Sequence, residues 1–145
     1  MNDEVEILLV EDSAHDAEMT IRSLRKNNVS NKIVHLKDGA AALAFLFASG
    51  DFAGRDIGQK PKVILLDLKM PKVNGLQVLE QIKQNENTRT IPVVVLTSSK
   101  EDPDIKKCYN LGANSYIVKP VDFESFHKVV GELGLYWVLL NQTSR

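Results

Sequence analysis

The feature that most constrains this chain is the run Val63-Ile64-Leu65-Leu66, closed by Asp67 and bracketed by Pro61 and Pro71. Four consecutive aliphatic residues leave no polar side for water. Such a run suits an interior strand of a parallel sheet covered on both faces. Ligands in sheets of this kind sit at the carboxyl ends of the strands. Asp67 is therefore the first candidate for chemistry.

The rest of the chain repeats the alternation of strand and helix. Glu6-Ile7-Leu8-Leu9-Val10 is a second apolar run that ends in acid, at Glu11-Asp12. Ser13 can cap a following helix, where Ala14, Ala17, Ile21 and Leu24 recur at three- and four-residue intervals and Asn27-Asn28 ends the pattern. Ile33 to Leu36 reads as a weaker strand, and Asp38 as the cap of a helix from Ala40 to Ala48 that buries Leu43, Leu46 and Phe47. The segment 49–60 has three glycines, mixed charges and no period, so it reads as a surface loop.

Gly75 precedes a helix carrying Leu76, Val78, Leu79 and Ile82, followed by the polar run Gln84 to Thr90. Pro92 to Leu96 forms a fourth strand ending at Thr97. Pro103 suits the first turn of a fourth helix, with Cys108 packed on it and Gly112 as its stop. Ser115 to Val118 is a fifth strand ending at Lys119-Pro120, and Asp122 caps a fifth helix that buries Phe126, Val129, Val130 and Leu133. Five strands alternating with five helices imply right-handed crossovers and a doubly wound parallel α/β sandwich.

Composition narrows the partners. The 145 residues suit one domain, expected over 1–145 with a core at about 5–133 and an extension over 134–145. A net charge of −1 offers no field for nucleic acid or an anionic membrane, and no apolar run reaches the roughly 18 residues of a bilayer span. One cysteine and an acidic amino terminus point to the cytoplasm. His15, His35 and His127 share no metal-ligand spacing and read as ordinary surface or half-buried residues.

Four strand ends deliver polar residues to one edge: Glu11 and Asp12, then Asp67, Thr97 and Lys119. With strand order 2-1-3-4-5, the crevice opens beside Asp12 and Asp67. Two carboxylates about 5 Å apart at an effective dielectric of about 20 repel by about 3 kcal/mol, so a cation must enter or a proton must stay. An all-oxygen donor set matches Mg²⁺, with Asp12 and Asp67 as direct ligands, the Lys69 carbonyl as a third oxygen and Glu11 holding a metal-bound water. Asp67 could then attack phosphorus, with the Lys119 ammonium pairing one phosphoryl oxygen and the Thr97 hydroxyl donating to another.

These residues resemble the receiver domain of two-component response regulators. The resemblance rests on Glu11-Asp12, on Asp67 followed by Met70-Pro71 and Gly75, on Val93 to Thr97, on Gly112-Ala113, and on Tyr116 with Lys119-Pro120. It implies the chemotaxis-type, flavodoxin-like fold, Mg²⁺-dependent transfer of phosphate from a kinase phosphohistidine to Asp67, and slow self-catalysed hydrolysis. It further implies that Thr97 and Tyr116 form the switch, that the Lys119-Pro120 peptide is cis, and that Lys69 and Ser99 flank the acyl phosphate. The long 49–60 segment and the Tyr136 to Leu140 tail are similar to small single-domain regulators serving bacterial phytochrome kinases, in which helix 4, strand 5 and helix 5 often carry a homodimer.

Other functions fit less well. A phosphatase of the haloacid dehalogenase type usually has a second aspartate two residues after its nucleophile, where this chain has Lys69. A receiver that only docks has no need of Asp67, Thr97 and Lys119 together. Flavin binding would want Gly, Ser and Thr donors after the first strand, where acids stand instead.

Overall fold

The computed structural model describes residues 6–70 and 73–135. Strand β1 (Ile7–Val10) leads to helix α1 (Ala14–Lys26), β2 (Ile33–Leu36) to α2 (Gly39–Leu46), and a single 3₁₀ turn (Gly50–Phe52) precedes β3 (Val63–Asp67). Then follow α3 (Gly75–Gln84), β4 (Val93–Thr97), α4 (Asp104–Asn110), β5 (Ser115–Val118) and α5 (Phe123–Glu132). The strands form one parallel sheet in the order β2-β1-β3-β4-β5, as expected.

Every residue of β1, β3 and β4 is buried, because their side chains alternate between two separate apolar clusters. On one face Leu8, Val10, Ile64, Leu66, Val93 and Val95 meet Ala42, Phe45, Val78, Leu79, Ile82 and Cys108. On the other Ile7, Leu9, Val63, Leu65, Val94 and Leu96 meet Ala17, Leu24, Phe126, Val129 and Val130. Emptying either side would be costly: a fully buried Leu cut to Ala loses roughly 2–5 kcal/mol.

The helices start where their caps say. Ser13, Asp38 and Asp122 each accept a backbone N–H three residues on. Asn74 and Gln77 form a reciprocal capping box that opens α3. Gly75 is required there: a Cβ would fall 2.5 Å from the Asp67 carbonyl oxygen and 2.6 Å from Leu68 Cα. That close approach seats α3 directly on the exit of β3. Gly112, at φ +108°, ends α4 in a conformation that side chains rarely adopt.

Several local expectations are corrected. In α1 the buried set is Ala17, Thr20 and Leu24, whereas Ala14 is exposed and Ile21 half-buried; Thr20 enters the core because its hydroxyl donates to the Asp16 carbonyl at 2.9 Å. In α2 the buried side chains are Ala42, Phe45 and Leu46, with Leu43 and Phe47 only half-buried, and the helix stops at Leu46 because Ala48 turns to φ +53°. The 49–60 loop is more organised than its composition suggests. Arg55 donates to the carbonyls of Phe45 and Gln59 and stacks 3.8 Å above the Phe45 ring, whose edge meets Phe52. Pro103 is the residue before α4 rather than its first member. Thr88, in the polar run after α3, is buried and donates to the Ile82 carbonyl at 2.7 Å. The tail Tyr136 to Leu140 and the Pro71 turn lie outside the described residues.

Candidate functional site

Parallel pairing brings the strand ends to one edge. Val10 pairs with Leu66, Asp67 with Leu96, and Thr97 with Val118, so Glu11, Asp67, Thr97 and Lys119 all leave the sheet together. Asp67 is 1% exposed and Glu11 2%, while Asp12 is open to solvent. One carboxylate oxygen from each of these three lies within 4.8 Å of the others.

Lys119 stands over this cluster. Its Nζ lies 3.3 Å from Glu11 Oε1, 3.4 Å from Asp67 Oδ1 and 3.5 Å from Asp16 Oδ2. Burial works against the ammonium, but Asp67, Glu11 and Asp16 together outweigh it and raise the Lys119 pKa. One cation facing three buried or half-buried carboxylates leaves excess negative charge, and Glu11 absorbs it. Burial, followed by a hydrogen bond and charge repulsion from Asp67, lifts its pKa to about 7, against the pull of the Ser13 N–H and of Lys119. A carboxyl that keeps its proton to neutral pH marks a place prepared for a further positive charge.

The donor set fits a hard divalent ion. The three carboxylates supply oxygen only, and among the described residues no other group of three acid, His or Cys side chains gathers in this way. Lys69 is exposed, and its backbone N–H donates to Asp67 Oδ1 at 3.3 Å, which holds the carboxylate from the turn side. His35 Nε2 makes a 2.7 Å hydrogen bond with the Glu11 carbonyl oxygen and fixes the exit of β1 from the neighbouring strand.

Thr97 is 1% exposed, and its hydroxyl bonds to the connection between β4 and α4. Its hydrogen has two acceptors in reach: Asp102 Oδ2 at 3.1 Å and the Ser99 carbonyl at 3.2 Å. Tyr116 pairs with Val95, two positions short of the β4 tip, and its half-buried ring meets Tyr109 edge-on at 6.4 Å. The Lys119-Pro120 peptide is cis, as the resemblance implies.

Sequence reasoning missed Asp16 and Asp102. Asp16 had a signal: it stands four residues after Asp12 in the first turn of α1, on the side of that helix that returns to the strand ends. Asp102 had none, since it lies in a short connection without period.

Residues 7–131 match the family model described as the response regulator receiver domain. The chain belongs to the receiver family of response regulators. This receiver is 42% identical to the probable methanogenesis regulatory protein FilR2 of Methanothrix harundinacea, over 94% of this chain and 86% of that protein. To the response regulator Rcp1 of Synechocystis it is 38% identical, over 91% and 88%. The Mn(2+)-bound form of Rcp1 has been solved, and the receiver matches it at a TM-score of 0.73 and 36% identity, over 96% of this chain and 98% of that one. The bacteriophytochrome response regulator AtBRR is similar at a TM-score of 0.86 and 45% identity, over 97% of this chain and all of that one.

Proposed function

We propose that Asp67 accepts a phosphoryl group from the phosphohistidine of a sensor histidine kinase, and that this receiver acts as a phosphorylation-dependent binding switch. The observation that carries the reading is a buried carboxylate with a lysine ammonium 3.4 Å away, at a sheet edge shared with the Thr97 hydroxyl. Asp67 attacks phosphorus; a P–O bond forms as the P–N bond to the kinase imidazole breaks, and the imidazole leaves with the electron pair and its proton. Lys119 neutralises charge on one phosphoryl oxygen, and Thr97 donates to another.

Asp12, Asp67 and the Lys69 carbonyl would hold Mg²⁺, with Glu11 on a bound water, as the oxygen-only donor set and the Mn(2+)-bound form of Rcp1 support. Bound there, the ion offsets the charge that otherwise repels an incoming phosphoryl group. No general base is needed, and hydrolysis of the acyl phosphate is slow and self-catalysed, without a second aspartate at position 69 to speed it.

A phytochrome-type kinase is the proposed donor, supported by the 45% identity to AtBRR. The exposed Tyr109 and Val118 flank a groove of about 380 Å³ lined also by Tyr116, Lys128 and Glu132, and we assign this α4-β5-α5 face to a homodimer biased by the inward turn of Tyr116. No helix among the described residues is long and apolar enough to cross a membrane, and the protein is assigned to the cytoplasm as one domain with the extension 134–145. Incubation with acetyl phosphate and Mg²⁺ followed by intact mass tests the reading. Gain of one phosphoryl group, lost in Asp67→Asn, is expected; no gain, or a gain that survives Asp67→Asn, overturns it.

A further inference from the structure

We propose that Asp102 is a positioning residue: it is the resident acceptor of the Thr97 hydroxyl, and a phosphoryl oxygen on Asp67 must displace it. The inference rests on the phosphoryl reading above and adds a residue that the acid cluster does not contain.

A threonine hydroxyl has one hydrogen to donate. In this structure both acceptors within reach, Asp102 Oδ2 at 3.1 Å and the Ser99 carbonyl at 3.2 Å, belong to the connection between β4 and α4. The carboxylate is the stronger of the two, because an ionised acceptor roughly doubles the strength of the bond. Asp102 is ionised at neutral pH: the Asp104 N–H, helped by the weaker effects of the Thr97 hydroxyl and the nearby charge of Lys69, holds its pKa below the usual carboxylate value against the opposing effect of burial.

The carboxylate is also anchored from behind. Its Oδ1 accepts the Asp104 N–H at 2.9 Å, at the first residue of α4, so it does not follow Thr97 toward Asp67 without moving the start of that helix. Thr97 therefore has a choice between two anions, one fixed to α4 and one arriving on Asp67. Lys69, two residues beyond Asp67, feels the same competition, since Asp102 already attracts its ammonium. The exchange couples phosphorylation to release of the β4–α4 connection, through a hydrogen bond present in the unphosphorylated protein.

Asp102→Asn separates the two jobs of this side chain. The amide oxygen keeps the bond from the Asp104 N–H, while the amide NH₂ offers Thr97 a donor where it needs an acceptor. The test is a titration of the full chain with beryllofluoride, a phosphoryl mimic, in saturating Mg²⁺, for wild type, Asp102→Asn, Thr97→Ala and the double variant. Asp102→Asn is expected to bind about fivefold more tightly than wild type. In the Thr97→Ala background the same substitution is expected to change affinity less than about twofold, since only the removal of a negative charge remains. An equal gain in both backgrounds, or no gain in either, removes the role of Asp102 while leaving the phosphoryl reading intact. Failure of wild type to bind beryllofluoride at all overturns both.

Discussion

The two sides of the crevice are built differently. On one side, the buried Glu11 and Asp67, at the ends of the paired strands β1 and β3, already meet the half-buried Lys119 from the end of β5, at 3.3 and 3.4 Å. On the β4 side, Thr97 is just as buried but bonds to Asp102, which sits on a short connection anchored to α4. One side holds charges in place before any phosphoryl group arrives; the other has a hydrogen bond that must be exchanged. On the phosphoryl reading proposed above, chemistry falls to the first side and signalling to the second.

The largest expected effects are on the fixed side. Asp67→Asn should abolish phosphoryl uptake, since an amide is no nucleophile for phosphorus. Lys119→Ala should slow uptake from acetyl phosphate by at least about 100-fold, through loss of the cation that faces the incoming oxygens. Initial rates by intact mass check both. A Lys119→Ala rate within a few-fold of wild type would show that this side is not pre-arranged for catalysis.

Next in size is a pH effect on stability without metal. The folded Glu11 pKa of about 7 exceeds the ordinary 4.5, so between those values the native state keeps a proton that the unfolded chain has released. Stability in EDTA should therefore fall as pH rises through that window, by about 3 kcal/mol at full extent. Glu11→Gln should flatten the slope, and excess Mg²⁺ should suppress it. Asp102 and Asp122, whose pKa values are lowered, act in the opposite sense, but their contribution is lost only as pH falls below about 3.8. Urea unfolding at several pH values measures this directly, and a slope that survives Glu11→Gln would place the proton elsewhere.

The smallest effect concerns Asp16. Its side chain is 42% exposed, so its 3.5 Å contact with Lys119 is largely screened. Asp16→Asn should change stability by no more than about 0.5 kcal/mol and leave phosphoryl uptake within about twofold of wild type. A larger loss would mean that Lys119 is aimed from the α1 side as well as by Asp67 and Glu11.

The contrast between the two sides also explains what was legible in the sequence. The buried strands β1, β3 and β4 announce themselves because burial on both faces demands unbroken aliphatic runs, and the acids and the threonine that end such runs then stand out, whereas Lys119 ends the half-buried β5 and is marked by the proline after it. The order of the sheet follows from the doubly wound pattern. Helix α2 was misread on its buried face because Gly39–Leu46 carries no polar side chain to mark the outer one. The organisation of the 49–60 loop depends on Arg55 stacking on Phe45, a tertiary contact with no local period. Asp102 was invisible for the same reason: its importance comes from where β4 places Thr97, not from its neighbours in the chain.

The most direct measurement is chemical trapping of the modified residue. An aspartyl phosphate is reduced by borohydride to homoserine, whereas an ordinary carboxylate is not, so peptide mapping after treatment with acetyl phosphate and Mg²⁺ names the acceptor. Homoserine at position 67 and at no other acid is the expected result. Homoserine at Asp12, 5-hydroxynorvaline at Glu11, or no reduction anywhere would contradict the assignment of Asp67 as the residue that receives the phosphoryl group.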